Sequence, residues 1–257
     1  MRPPLLLTSL QSATRIGLIY MASSTLMEAE MYAMATTDAT IHTSRVTLPS
    51  VTVEGIDAMM RSEQLRTAAE LAAQAPLDVL VFGGTSASFL HGSAWDRMLV
   101  EHLEEWTGLT GRCTTTSTAS IAALAAVGAG PITLVTPYRD EVVRRAETFF
   151  TENGHPVAGS VGLGITDDRE LAEVPLERIY DLAVRTDTPD ATAVFISCTN
   201  VASVGAIAAL EATLGKPVVS AVQASFWYAL ELTGTDAART GFGSLLETRV
   251  PATGVAS

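Results

Sequence analysis

The sequence predicts an α/β protein made of two similar halves, each a mainly parallel sheet flanked by helices. Short apolar runs alternate with helix-length segments along the chain, which is typical of βαβ units. Apolar residues make up 47% of the 257 residues, which is enough to bury a large core and excludes a disordered chain. Several short motifs also recur in the same order in the second part of the chain. These observations favour two related α/β units.

Each predicted strand is a short apolar run, and each predicted helix is one of the longer segments between such runs. In chain order the predicted strands are 16–21, 40–48, 78–83, 112–116, 132–137, 157–162, 191–197 and 217–222. The predicted helices are 53–75, 94–107, 117–127, 140–153, 168–186, 203–214 and 224–232. Strands that are separated by helices in this way pair mainly in parallel.

The internal repeat predicts where the two halves lie. Segment 16–20 resembles 132–136 at an offset of 116 residues (132 − 16), and segment 80–85 resembles 194–199 at an offset of 114 (194 − 80). We therefore assign residues 1–118 to the first half and 119–225 to the second, with 226–257 packing back on the first. The alternative is that the repeat does not reflect two related halves, because any two βαβ arrays look alike. If the halves are real, the active site is expected in the cleft between them.

Charge and cysteine content exclude several classes of function. The net charge of −12 argues against nucleic-acid binding, which needs clustered Lys and Arg. The two cysteines form neither a metal spacing nor a disulfide framework, which suits a reducing cytoplasm. Residues 113–138 and 191–210 carry no charge, but they are rich in Thr, Ser and Gly and are predicted to be buried strand–helix pairs rather than membrane spans.

Cys198 is the strongest candidate for a reactive group. It ends an apolar strand and precedes the polar turn Thr199-Asn200, which leads into an apolar helix. Free backbone N–H groups and the positive end of that helix are expected to lower the pKa of the thiol. The alternative is a small buried apolar residue, which is also our interpretation of Cys113.

A second polar turn occupies the matching place in the first half. The run Gly83-Gly84-Thr85-Ser86 follows a strand, and its hydroxyls and N–H groups could hold an anion. No Lys follows the glycines, so a carboxylate fits better than a phosphate. An ordinary strand-to-helix turn would look the same.

Tyr138 and Ser24 also follow strands and could donate to the same anion. Tyr138 could equally be a packing aromatic, and the segment around Ser24 could equally cap a helix. None of the four histidines lies in a recognisable motif, so a cysteine–histidine hydrolase would require a tertiary contact that the sequence does not reveal.

Residues 15–243 resemble the aspartate/glutamate racemase superfamily, in its maleate isomerase and arylmalonate decarboxylase branch. The segment 23–28 is similar to the isomerases' Ser-Asn-Thr-Thr-Met-Glu turn, and 84–89 is similar to the decarboxylases' Gly-Thr-Ser-x-Ser-Phe. Segment 197–200 has the isomerase form of the second cysteine motif. Family members that racemise or isomerise have a cysteine at both strand ends, whereas this chain has Gly84 at the first.

Two further positions depart from the isomerases. Ser24 and Asp168 stand where the resemblance expects substrate-binding asparagines. An acidic side chain at position 168 would repel a second substrate carboxylate unless it is protonated or turned away.

The resemblance implies an enzyme that acts on a small carboxylic or dicarboxylic acid without a cofactor or a metal. With one cysteine, decarboxylation of a substituted malonate is favoured: an enediolate forms and Cys198 protonates it. The carboxylate-binding residues would be Thr85, Ser86, Tyr138, Thr199, Ser24, Gly84 and Asn200. The alternatives are a maleate-type cis–trans isomerase or racemase, and a non-catalytic carboxylate-binding protein. No membrane or nucleic-acid partner is expected, and the resemblance also suggests a homo-oligomer.

Overall fold

The computed structural model describes residues 12–247 and contains two four-stranded parallel sheets. The first sheet has the order β2-β1-β3-β4, with β1 (Thr14–Met21), β2 (Ala39–Val46), β3 (Val79–Phe82) and β4 (Cys113–Thr115). The second has the order β6-β5-β7-β8, with β5 (Ile132–Val135), β6 (Val157–Val161), β7 (Ala193–Ile196) and β8 (Val218–Ser220). Both sheets therefore have one topology, and the predicted fold of two similar α/β halves is confirmed.

Helices flank both sheets. Those of the first part of the chain are α1 (Leu26–Met34), α2 (Val53–Met60), α3 (Gln64–Ala72), α4 (Thr85–Phe89), α5 (Ser93–Thr107) and α6 (Thr116–Ala126). Those of the second part are α7 (Asp140–Glu152), α8 (Asp168–Ala172), α9 (Leu176–Thr186), α10 (Ile207–Leu214), α11 (Ala221–Thr233) and α12 (Ser244–Glu247), with a 3₁₀ turn at Val204–Ala206. No helix of residues 12–247 is long and apolar enough to cross a membrane.

Two predicted helices are each divided in two. The predicted helix 168–186 is interrupted at Pro175, which precedes α9 in an extended conformation (φ −60°, ψ 143°). Proline disfavours the helical conformation of the residue before it, so α8 has to end first. The predicted helix 53–75 is interrupted after Met60, where the Ser62 hydroxyl donates to the Met59 carbonyl at 2.6 Å. Such a side-chain bond competes with the backbone pattern of the helix.

The cores of the two halves form around the central strands. All four residues of β3 and all four of β7 are buried, as expected for parallel strands that are covered on both faces. The side chains of these strands include two fully buried aromatic rings, Phe82 of β3 and Phe195 of β7. Full burial of a side chain of this size stabilises the fold by about 1.5–3 kcal/mol.

The proposed boundaries of the halves stay predictions. Helix α11 lies along α6 and also contacts β3 of the first sheet, although its first residues belong to the predicted second half. Ser220 and Gln223 form a capping box that fixes where α11 begins. Of the segment 226–257, which was predicted to return to the first half, residues 248–257 lie outside the described residues.

Candidate active site

One cavity lies where the carboxyl ends of the central strands of both sheets face each other. It has a volume of about 20 Å³ and is lined by Met21, Ser24, Leu48, Val51, Ile56, Met59, Gly84, Thr85, Ser86, Ala87, Tyr138, Asp168, Leu171, Cys198, Thr199 and Asn200. All eight residues that were selected from the sequence are in this set. The structure therefore brings them together, while their individual roles stay predictions.

Cys198 is held in a strained backbone conformation in this cavity. Its φ is 120°, and it is the one non-glycine residue with a positive φ in the described part of the chain. The side chain is 4% exposed, and the Asn200 N–H donates to its Sγ at 3.3 Å. Strain of this kind costs about 1–3 kcal/mol, and it is found most often at functional sites.

The expectation of a lowered thiol pKa is wrong. Burial raises the pKa of Cys198 to about 12; the charge of Asp168 acts in the same direction, and hydrogen bonds from the Asn200 N–H and the Tyr138 hydroxyl oppose it. Helix α10 begins only at Ile207, nine residues after Cys198. At neutral pH the thiol is therefore protonated and can act as an acid.

Tyr138 lines the same cavity as Cys198 and Thr85. The residue is 1% exposed, and its ring packs edge-on against Phe89 with 6.2 Å between the ring centroids. Burial raises the pKa of Tyr138 well above its usual value, and Cys198, Ser197 and Thr85 also influence it. The phenol is therefore neutral and can donate a hydrogen bond.

Two buried hydroxyl groups beside Tyr138 are left without a well-formed hydrogen bond. Within residues 12–247, neither Thr85 Oγ1 nor Ser197 Oγ has a partner of good geometry, although both lie close enough to affect the Tyr138 pKa. Buried polar atoms are nearly always satisfied in native proteins. Thr85 lines the cavity, so its hydroxyl is available to a ligand there, whereas Ser197 does not line it. Ser197 was not selected from the sequence, although it directly precedes Cys198. Ser86, which was selected, is half-buried at the cavity wall.

Gly84 lies at the end of β3, equivalent to Cys198 at the end of β7, and has no room for a side chain. A Cβ atom there would lie 2.6 Å from Phe82 Cζ and 3.1 Å from Met21 Cε. The backbone itself (φ −113°, ψ 87°) would accept other residues, so the restriction is the space that the Phe82 ring fills. The first half therefore offers hydroxyl and N–H donors at this position but no second thiol.

Thr199 and Asn200 use their side chains to connect the two halves. The Thr199 hydroxyl donates to the Gly83 carbonyl at 2.8 Å, and the Asn200 Oδ1 accepts the Thr25 N–H at 2.9 Å. The Tyr20 hydroxyl, which sequence reasoning missed, donates to the Thr199 carbonyl at 2.7 Å. In this conformation both side chains predicted to bind substrate are engaged with protein groups.

Ser24 is similarly engaged. Its hydroxyl donates to Asp168 Oδ2 at 2.7 Å, and the Ser23 hydroxyl donates to the same oxygen at 2.6 Å. The Asn200 side-chain amide in turn donates to the Asp168 backbone carbonyl at 2.6 Å. Asp168 therefore connects the polar end of the cavity to both halves.

An apolar wall lies in the same cavity and was not anticipated from the sequence. It consists of Met21, Leu48, Val51, Ile56, Met59 and Leu171. Most of these residues follow β2 or belong to α2. Among residues 12–247, no group of His, Cys, Asp and Glu side chains could hold a metal ion.

Comparisons with known proteins agree with this arrangement. A family model described as arylmalonate decarboxylase matches residues 16–246. Arylmalonate decarboxylase of Bordetella bronchiseptica is 38% identical over 203 residues, which cover 78% of this chain and 83% of that protein. Maleate isomerase of Geobacillus stearothermophilus is 29% identical over 244 residues, which cover 90% of this chain and 96% of that protein.

This chain is also similar in structure to a solved maleate isomerase variant. A maleate isomerase variant from Pseudomonas putida S16, crystallised with maleate, matches with a TM-score of 0.86 at 26% identity, covering 91% of this chain and 97% of that one. The resemblance inferred from the short motifs thus holds over most of the chain. The chain belongs to the arylmalonate decarboxylase family and is an enzyme of the lyase or isomerase type.

Proposed function

We propose that this enzyme decarboxylates a small substituted malonate-type acid without a cofactor, and that Cys198 protonates the intermediate. The observation that supports this most directly is the pairing of one protonated thiol with Gly84 across the cavity. A two-base racemase needs an acid and a base on opposite faces of a carbon, and glycine supplies neither. The other cysteine of the chain, Cys113, is buried at the start of β4 and does not line the cavity.

The reaction needs few groups. One carboxylate of the substrate would accept hydrogen bonds from Thr85, Tyr138 and nearby backbone N–H groups. The other leaves as CO₂ when its C–C bond breaks, and the electron pair of that bond passes into an enediolate, whose oxygens the same donors stabilise. The Cys198 S–H then gives its proton to the carbon, and the thiolate recovers a proton from solvent. An enediolate is far more basic than a thiolate, so even a weakly acidic thiol can protonate it.

Isomerisation of a maleate-type acid is the second candidate. It is supported by the Ser197-Cys198-Thr199-Asn200 motif and by similarity to a protein named maleate isomerase over 90% of this chain. In that chemistry a thiolate adds to the substrate. A thiol with a pKa of about 12 provides little thiolate at neutral pH, which favours decarboxylation instead.

Proton NMR in D₂O distinguishes the two reactions. Phenylmalonate, methylphenylmalonate and maleate are offered to the enzyme, and products are followed with time. We expect loss of CO₂ from a malonate and deuterium at the former malonate carbon. Fumarate appearing from maleate without malonate turnover would contradict the proposal.

The role of Cys198 is tested with matched variants. Cys198→Ser should lower kcat by about 10²–10⁴-fold, the usual contribution of general acid catalysis. Cys113→Ser removes the other buried thiol and should leave kcat unchanged. Full decarboxylase activity in Cys198→Ser would exclude the thiol as the proton donor.

A further inference from the structure

Asp168 contributes a carboxylate to the cavity that the proposed reaction does not use. The residue is 6% exposed, begins α8 and lines the cavity together with Cys198. Its Oδ2 accepts the hydroxyl protons of Ser23 and Ser24, whereas Oδ1 accepts no hydrogen bond from any residue between 12 and 247. One oxygen is therefore fixed in position and the other is left for a further donor.

This carboxylate has no cationic partner. No ion pair of the described residues includes Asp168, and none of the cavity-lining residues is Lys, Arg or His. A buried charge is costly unless it is paired. Its negative charge also raises the pKa of Cys198 and of Tyr20, so it acts on the site electrostatically. A ligand that brings a cation or a hydrogen-bond donor would supply the missing partner.

The position of Asp168 also indicates what the site excludes. A second carboxylate at this end of the cavity would meet a like charge, and like charges in close contact cost several kcal/mol. The apolar wall at Leu48, Val51 and Met59 offers a different environment from the Ser24–Asp168 end.

We infer that Asp168 is a specificity-determining residue that selects an ammonium or hydroxyl substituent on the reacting carbon. This inference rests on the proposed decarboxylase function. It names the substrate class as small 2-amino- or 2-hydroxymalonates, in preference to 2-alkylmalonates and to acids with a further carboxylate in the substituent. The donor on the substituent binds Asp168 Oδ1, and Ser23 and Ser24 keep the carboxylate oriented.

The test compares aminomalonate, hydroxymalonate and methylmalonate, whose substituents are similar in size. The wild-type enzyme should decarboxylate aminomalonate with a kcat/KM at least about tenfold above that for methylmalonate, the lower end of what one hydrogen bond to a charged group contributes. Asp168→Asn, which keeps the shape of the side chain and removes its charge, should abolish this preference. Asp167→Asn is the matched control, because Asp167 is exposed and caps α8 outside the cavity, and it should retain the preference. An unchanged preference in Asp168→Asn, or a wild-type preference for methylmalonate, would overturn the inference.

A binding measurement separates this inference from the proposed function. Protection of Cys198 against iodoacetamide by aminomalonate and by methylmalonate is measured by mass spectrometry at pH 8 in wild type and Asp168→Asn. Stronger protection by aminomalonate that is lost in Asp168→Asn supports the specificity role even if no malonate is decarboxylated. Equal protection by the two acids in the wild type refutes the role even if decarboxylation is observed.

Discussion

The acidity of Cys198 gives a prediction that can be worked out from its burial. With a pKa of about 12, about one thiol in 10⁴ is ionised at pH 8, whereas roughly a quarter of thiols with an ordinary pKa near 8.5 are ionised. Since only the thiolate is alkylated, the reaction of Cys198 with iodoacetamide should be slower by about three orders of magnitude from ionisation alone. The rate should rise about tenfold per pH unit between pH 7 and 10 without levelling off.

The assay follows alkylation of the Cys198 peptide by mass spectrometry in the Cys113→Ser variant, which has a single thiol. Restricted access changes the absolute rate but leaves the shape of the pH profile unchanged, so the shape reports the pKa. The same chain unfolded in urea should level off above about pH 9, as an ordinary thiol does. Circular dichroism checks that the folded sample stays folded at each pH. A folded profile that levels off near pH 9 would refute the argument that burial controls this thiol.

Three further predictions concern stability and are measured by urea unfolding. Asn200→Ala should lower the free energy of unfolding by about 2–4 kcal/mol, because it removes the partner of the Thr25 N–H in one half and leaves the buried Asp168 carbonyl in the other without a partner. A loss below about 0.5 kcal/mol would contradict the connecting role. Gly84→Ala should lower the free energy of unfolding by about 1–3 kcal/mol, because the new methyl group crowds the Phe82 ring, and by less in a Phe82→Leu background. If the effects of Gly84→Ala and Phe82→Leu simply add, the ring is not the obstacle. The pKa of Cys198 is raised on folding, so the stabilising contribution of the thiol is present below about pH 8.5 and is lost as the pH rises toward 12. The free energy of unfolding should therefore fall above about pH 9, and it should fall less steeply in Cys198→Ala. Equal slopes of the free energy against pH in the two proteins would be inconsistent with the raised pKa.

Most of the fold could be predicted from local pattern. The central strands, such as Ala193–Ile196, are unbroken apolar runs because both of their faces are covered, and this signal does not depend on distant residues. The division at Pro175 was also present in the sequence, but apolar periodicity on both sides of the proline concealed it. The break after Met60 lacked such a marker, because serine also occurs inside helices and the hydrogen bond from Ser62 to the Met59 carbonyl is visible only in the structure.

The composition of the site was predictable, but the use of its side chains was not. Cys198, Thr85 and Tyr138 were identified because each follows a strand, and the ends of parallel strands converge. The partner of the Asn200 side chain at Thr25 is 175 residues away in sequence, so no local motif could reveal that contact. The direction of the Cys198 pKa shift likewise depends on burial by both halves, which outweighs the local N–H groups.

The hydrogen bonds beside Cys198 also resist any separation of the two halves. Thr199 is bonded to Gly83 and to Tyr20, and Asn200 to Thr25, so three contacts that bridge the cleft lie within two residues of the sulfur. Each contributes about 0.5–1.5 kcal/mol, and breaking all three together costs about 1.5–4.5 kcal/mol. Separation of the halves would also have to break the hydrogen bonds that Ser23 and Ser24 donate to Asp168. A ligand that enters only when the halves part would therefore have to wait for the loss of all of these bonds at once.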